Sequence, residues 1–251
     1  MGPLGMPASI SIHRDGALTH IVFTREHKLN AFDESLVDQL LDGVNTASND
    51  GTRLLVLSGA GKGFSGGFDL DGLDTASDGD MLLRFVRVEQ VLQAVYHAPM
   101  GTLALVHGAC FGAAADLAAA CHQRVAAPGT RFRMPGPKFD VILGTARLTH
   151  QVGADHARQL LLRDGPFSAE QALEAGFIGE IAARESWDEH IAQALARALQ
   201  VNAQTYRALS ERIASDTRDA DLAALVRSVS NGSIKARIVS YVEAMKQTRK
   251  S

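Results

Sequence analysis

The chain is poor in the features that mark out whole classes of protein. It carries only two cysteines in 251 residues. Cys110 and Cys121 have no Cys or His neighbours at metal-ligand spacing. The run between them is rich in small residues and helix-like, so both read as buried, reduced thiols, as expected of a cytoplasmic protein. No stretch reaches the ~18 uninterrupted apolar residues of a membrane-spanning helix, and none is expected. The N-terminus lacks the charged-then-apolar pattern of a signal peptide; Gly2-Pro-Leu-Gly5 reads as a protease-site scar left by expression. Formal net charge is only −3, which gives no overall attraction for nucleic acid or an anionic membrane. No interleaved aromatic and basic motif for nucleic acid is present either. Asp71, Asp74, Asp78 and Asp80 crowd one segment, but without the glycine and closing glutamate of an EF-hand loop. They read as a mobile, solvated flap, and no metal site is expected.

What remains is ordinary for a soluble globular protein: 46% hydrophobic and 21% charged residues. The length suits one large domain or two small ones with a real core. Two segments stand out within it. Gly59-Ala-Gly-Lys-Gly-Phe-Ser-Gly-Gly-Phe-Asp-Leu70 follows the apolar run Leu54–Ser58. Val106-His-Gly-Ala-Cys-Phe-Gly-Ala-Ala-Ala-Asp-Leu-Ala-Ala-Ala-Cys121 follows Leu103–Val106. Each supplies small residues where a helix is expected to begin, which lets a ligand approach the backbone closely. First-turn N–H groups have no partner inside a helix, and the helix dipole favours negative charge there. Two such N-termini converging on one carbonyl oxygen would form an oxyanion hole, suited to chemistry that turns a carbonyl into an enolate or a tetrahedral oxyanion.

The surrounding pattern alternates strands and helices. Ser9–His13 and His20–Thr24 read as a hairpin around Arg14-Asp-Gly-Ala17. Leu36, Val37, Leu40, Leu41 and Val44 form a helical stripe over residues 34–48, and Leu82, Leu83, Val86, Val91, Leu92 and Val95 another over 81–96. Arg124–Ala127 is a further short strand, and residues 187–250 are mostly helical, with breaks near Asn202 and Asn231-Gly-Ser233. The expected class is α/β.

The two glycine-bearing segments resemble the signatures of the crotonase, or enoyl-CoA hydratase/isomerase, superfamily. The first is nearly complete. In the second, Val106, Gly108, Gly112, Asp116, Leu117, Ala118 and Cys121 match, while Ala113 and Ala114 stand where glycines are usual and His122 where an Asp is usual. Arg25-Glu-His-Lys-Leu-Asn-Ala-Phe32 is similar to a family turn, and Phe167–Ile178 to a family helix. The resemblance runs from about Ile10 to at least Ile181. It implies a spiral of ββα turns with two sheets over residues 6–190, and a helical oligomerisation region over 191–251. It also implies a homotrimer or hexamer, an acyl-CoA thioester as substrate, and no cofactor beyond the coenzyme A that the substrate carries.

The resemblance assigns roles by position. The backbone N–H groups of Phe68 and Ala113 would hold the thioester oxygen. Lys28, Ser65, Gly67, Asp69 and Leu70 would join them in binding the coenzyme A thioester. Asp116 matches one of the two hydratase glutamates and lies three residues after Ala113, on the same helix face. Its alternative reading is a first-turn acid that stabilises a helix N-terminus. The second glutamate is absent: Phe132-Arg-Met-Pro135 is followed by Gly136, and the stretch to Leu148 is about three residues short. Asp140 in that loop is the candidate substitute, against its reading as a solvated loop carboxylate. Glu89, Arg84 and Arg87 are weaker candidates. His107 and His122 read as packed, hydrogen-bonded residues. Arg227, Lys235, Arg237, Lys246, Arg249 and Lys250 form either a solvated basic face or an attraction for coenzyme A phosphates.

Losing one acid–base group typically costs ~10²–10⁴-fold. The expectation is therefore a non-standard family enzyme working through an enolate, better suited to isomerisation, decarboxylation or hydrolysis than to hydration. Its rival is a weakly catalytic or non-catalytic homologue that binds acyl-CoA or a protein.

Overall fold

A computed structural model describes residues 8–248 of the chain; Gly2–Gly5, Arg249 and Lys250 lie outside them. Strands β1 (Ile10–Asp15) and β2 (Leu18–Phe23) pair antiparallel, with Ile12 opposite Ile21. The turn between them is two residues long and begins at Gly16, whose φ of +54° suits glycine. Helix α1 (Glu34–Ala47) starts at Asp33, whose carboxylate accepts from the Leu36 N–H at 2.8 Å. It lays Leu36, Val37, Leu40 and Val44 into the core. Strand β3 (Leu54–Gly59) is buried along its whole length, as a strand covered on both faces must be. It runs parallel to β2 on one side and to β4 (Gly101–Val106) on the other. Between β3 and β4 comes α2 (Asp78–Tyr96).

After β4 the chain forms β5 (Ala109–Phe111), α3 (Ala113–Ala120), β6 (Gln123–Ala126) and β7 (Arg131–Arg133). Then come α4 (Thr145–Leu162), β8 (Phe167–Ser168), α5 (Ala169–Glu174) and β9 (Glu180–Ile181). The described chain closes with α6 (Trp187–Leu199), α7 (Ala203–Ile213), α8 (Arg218–Val229) and α9 (Ile234–Thr248). One sheet has the order β1-β2-β3-β4-β6-β9; a second has the order β5-β7-β8. The α/β class with two sheets and a helical C-terminal part is thus present.

The main core lies between the sheets and α1, α2 and α3. The other face of the large sheet, from Leu54, Val56, Leu103 and Leu105, is covered by Trp187 and Ala194 of α6. The expected boundary near residue 190 therefore falls inside a helix that packs on the sheet. A third apolar cluster joins Met81 and Phe85 of α2 to Leu225 and Val229 of α8 and Ile234 and Ile238 of α9.

Two local expectations are corrected. No helix begins at the end of the first glycine segment: residues 71–75 are turns, and α2 starts eight residues after Leu70. Cys110 lies in β5 rather than in a helix; both cysteines are free and buried. The acidic run is also anchored. Asp80 and Ser77 form a capping box on α2. Asp78 accepts from the Lys235 N–H at 3.0 Å and so caps α9. Both carboxyls are held below their usual range by the backbone N–H groups that they accept. Among the described residues no helix is long and apolar enough to cross a membrane.

Candidate active site

The first glycine segment is shaped by contact with the second. Gly67 has φ +88°, and a Cβ there would fall into the carbonyl of Phe111, with the Ala113 nitrogen 3.5 Å away. Only a bare backbone fits. Asn30, itself at φ +52°, holds the segment from beneath. Its side-chain amide donates to the carbonyls of Ala60 (2.9 Å) and Gly63 (3.0 Å). The buried Ser65 hydroxyl donates to the Asn30 carbonyl at 2.7 Å and accepts from the Gly67 N–H at 3.0 Å. Phe32 then grips the strip on either side of Phe68: its N–H donates to Gly67 (2.7 Å) and its carbonyl accepts from Asp69 (3.1 Å). The N–H of Phe68 is left with no backbone acceptor among the described residues.

At the second segment, Gly112 takes φ +53° and donates to the Arg133 carbonyl at 2.7 Å. Its own carbonyl accepts the first helical bonds, from Ala115 (2.8 Å) and Asp116 (3.1 Å). The Ala113 N–H is one of the open donors of a helix start and likewise has no backbone acceptor among the described residues. Phe68 and Ala113 both line one cavity of about 200 Å³. The paired arrangement thus joins one helix N-terminus to one extended strip, not to a second helix.

Asp116 lines the same cavity and is the single carboxylate among its described lining residues; Arg133 is the only other ionic side chain there. Phe85, Phe139, Val141, Leu143, Ile238 and Tyr241 supply apolar and aromatic wall. Asp116 is 6% exposed. Burial pushes its carboxyl up to about 8; the Arg147 guanidinium opposes this and the Glu89 carboxylate adds to it. Arg147 is the third residue of α4, and both of its terminal nitrogens are engaged. It holds Glu89 of α2 at 2.5 and 3.1 Å and Asp221 of α8 at 3.0 Å. Glu89 is thus part of a buried ion-pair cluster and does not line the cavity.

The remaining expected residues fall into two groups. Leu70 lines the cavity with Phe68, whereas the expected Gly67 is not among its lining residues and its neighbour Gly66 is. Ser65 and Asp69 support the strip from within: the Asp69 carboxylate accepts from Arg25 (3.0 Å) and from the Asp71 N–H (2.9 Å). Lys28 stands outside the cavity, paired with Asp71 at 2.6 Å. Asp140 is not brought to the cavity. It ends a short 3₁₀ turn at φ +57°, with its side chain 74% exposed. It lines a surface groove with Ile142 and Arg227, 4.0 Å from Arg237. The substitute acid expected there therefore faces away from Phe68, Ala113 and Asp116. Gly136 does line the cavity, and a Cβ on it would lie 2.9 Å from the Val141 carbonyl oxygen. The shortened loop is folded tightly round a bare backbone.

Arg84 and Arg87 are also accounted for. Arg84 lies 4.6 Å over the Phe68 ring and donates to the Asp69 carbonyl at 2.6 Å. Arg87 pairs with Asp38. His107 is buried and bonds the Gly61 carbonyl oxygen through Nε2 at 2.9 Å. Burial lowers the proton affinity of His107 and His122. Lys235 is tied to the carbonyls of Asp74 (2.5 Å) and Ala76 (3.0 Å), and Arg237 to those of Phe139 and Asp140. Two of the four described basic residues of that set, Lys235 and Arg237, thus bind backbone carbonyls rather than standing solvated. Among the described residues, no group of three or more His, Cys, Asp or Glu side chains is placed to hold a metal ion.

Sequence reasoning assigned no role to Asn30, Arg25, Phe85 or Ile238. Asn30 carried a signal, because an Asn at positive φ with a donor fork suits a turn that must hold several carbonyls. Ile238 carried none, since a helical stripe does not say what it faces.

The family model described as Enoyl-CoA hydratase/isomerase matches residues 13–247. A solved structure from Bordetella parapertussis bearing the enoyl-CoA hydratase/isomerase description is 42% identical, with a TM-score of 0.92, over 94% of this chain and 99% of that one. A Mycobacterium tuberculosis protein named as a probable enoyl-CoA hydratase is 32% identical over 197 residues, 76% of this chain and 79% of its own. A trans-2-decenoyl-[acyl-carrier-protein] isomerase from Streptococcus mutans is 26% identical over 207 residues, 79% of each chain.

Proposed function

Because the chain belongs to the enoyl-CoA hydratase/isomerase family, we propose that it is an enzyme of acyl-CoA thioesters that moves a proton through an enolate, with Asp116 as its one working carboxyl. The thioester oxygen sits between the N–H groups of Phe68 and Ala113. These donors are fixed before substrate arrives, so they stabilise developing negative charge without reorganising. Asp116, as carboxylate, takes a proton from the carbon next to the carbonyl or from its vinylogous position. The electron pair moves into the carbon framework and the charge settles on the thioester oxygen. The same carboxylic acid returns the proton to the other carbon. The double bond shifts by one position, and no water is consumed.

The observation that carries this reading is the presence of a single carboxylate in a cavity where the strip N–H and the helix N–H are both open. Hydration must hold and split a water between two acid–base groups, and Gly136 supplies none. A carboxyl held near 8 by burial is also a stronger base than a solvated one. The relative from Streptococcus mutans, an isomerase by name, fits the same chemistry.

The test is incubation with a panel of saturated and enoyl-CoA thioesters in deuterated water, followed by mass. Deuterium uptake or a shifted double bond, with no gain of water, is expected. A water adduct formed at ordinary hydratase rates would overturn the reading. Tight thioester binding without any exchange would favour the non-catalytic homologue, which the loss of the second carboxyl motivates. Assembly as a trimer or hexamer belongs to the same reading and is checked by light scattering.

A further inference from the structure

The side chain of Phe68 has a place that its backbone role does not require. Its ring stacks on Phe85 at 4.4 Å between centroids, with the planes 12° apart. The Arg84 guanidinium lies 4.6 Å from the same ring and is pinned to the Asp69 carbonyl. The ring is therefore fixed by contact with an aromatic neighbour and a cation. It lines the 200 Å³ cavity. It also lines a second, larger cavity of about 470 Å³, whose apolar wall comes from Phe32, Val37, Leu83 and Val88. Among the described residues, Phe68 alone borders both.

We propose that the Phe68 ring is the stop that limits acyl chain length: it closes the end of the first cavity and separates it from the apolar part of the second. This rests on the acyl-thioester reading above, and it adds the substrate class, a short, unbranched, uncharged acyl group. Three features support it. The first cavity falls below the ~300–1,000 Å³ usual for small-molecule pockets. Its wall beyond Asp116 is mostly apolar, from Phe85, Val141, Leu143 and Ile238, and Arg133 is the single cation among its described lining residues. The space behind the ring is larger; charged residues such as Asp33, Glu34 and Arg87 also line it, and Phe32, Val37, Leu83 and Val88 give it the apolar stretch on which a chain that passed the ring would lie. Arg133, the cation on the cavity wall, is turned to the Met245 sulfur at 2.9 Å and to the Tyr241 ring at 5.7 Å.

Calorimetric binding of saturated acyl-CoA thioesters of increasing length tests this without depending on turnover. In the wild type, affinity rises about fourfold per methylene while the chain is being buried, then stops rising once the first cavity is full. In Phe68→Ala, whose backbone donor is retained, the rise continues for about two further carbons or more, again at about fourfold each. Phe68→Leu gives an intermediate break and guards against a folding defect in the alanine variant. Adding Leu83→Trp to Phe68→Ala refills the second cavity and moves the break back. Identical breaks in wild type, Phe68→Ala and Phe68→Leu, with all three binding the short thioesters, would overturn the stop while leaving the acyl-thioester reading intact. Failure of every variant and of the wild type to bind any acyl-CoA would overturn both.

Discussion

Asp116 lies directly against Gly144: a Cβ on that glycine would sit 2.5 Å from the Asp116 Oδ1. Gly144 is the residue before α4 and has φ +67°. The carboxyl that faces the cavity is thus seated in a notch that only glycine leaves open. Gly144→Ala should add about 1–2 kcal/mol of backbone strain and push the carboxyl off its place. A displacement of about 1 Å can cost about 100-fold in rate. Solvent-deuterium exchange into a bound thioester, read beside thermal unfolding of the same variant, checks this. A variant with wild-type exchange would show that Asp116 is not held by this contact.

Asp116→Asn should abolish exchange while leaving thioester binding within a few-fold of wild type. It should also change how stability depends on pH. The Asp116 carboxyl is raised from an ordinary 3.8 to about 8 in the folded chain. Below pH 4 it is protonated whether folded or not and contributes no slope. Between about pH 4 and 8 the unfolded chain loses this proton and the folded chain keeps it, so stability falls as pH rises, by up to about 1.4 kcal/mol per pH unit. The asparagine variant lacks that slope and should be the more stable protein at pH 8. Parallel denaturation curves for the two proteins from pH 5 to 8 would refute the buried, protonated state.

Activity should carry the same ionisation. If the carboxylate is the base, kcat/KM rises with pH toward about 8 and then levels, since that profile reports the free enzyme. A profile flat from pH 6 to 8 would assign proton removal to another group.

Gly136→Glu should not create a hydratase. The new Cβ would meet the Val141 carbonyl oxygen at 2.9 Å, so the loop must move before a carboxylate can reach the cavity. Crotonyl-CoA hydration should stay at least ~100-fold below an ordinary hydratase in both wild type and variant, as for a site short of one acid–base group. Gain of rapid hydration on this one substitution would show that the loop yields easily.

The backbone part of the site was legible from residue types alone. Gly67 is where main chain must approach main chain, and the clash that any Cβ on it would make with the Phe111 carbonyl is the physical content of the pattern. Asp116 followed from its match to a family motif position, with helical spacing from Ala113 in agreement. What spacing could not show was direction. Asp140 stands in a loop that turns at positive φ, and a loop sequence does not state which side its side chain faces. The helix expected after Leu70 failed for a related reason: Phe32 pairs with Phe68 as an isolated bridge, and that long-range pairing keeps the strip extended. The anchoring of Asp78 was not visible in the sequence because its partners, Ser233 and the Lys235 backbone, lie more than 150 residues away.

The Arg147 fork has a consequence for how the molecule opens. Its side chain and that of Glu89 are each 1% exposed, and Asp221 beside them is 13% exposed. Pulling α2 from α4 would strand a charge in the interior, which typically costs about 3–5 kcal/mol. Local fraying between these helices is therefore suppressed. Their backbone amides should exchange with solvent as one block, in a single slow event, with those of α8 near Asp221 joining it. The C-terminal helices then belong, in the sense of hydrogen exchange, to the same cooperative unit as the floor of the cavity.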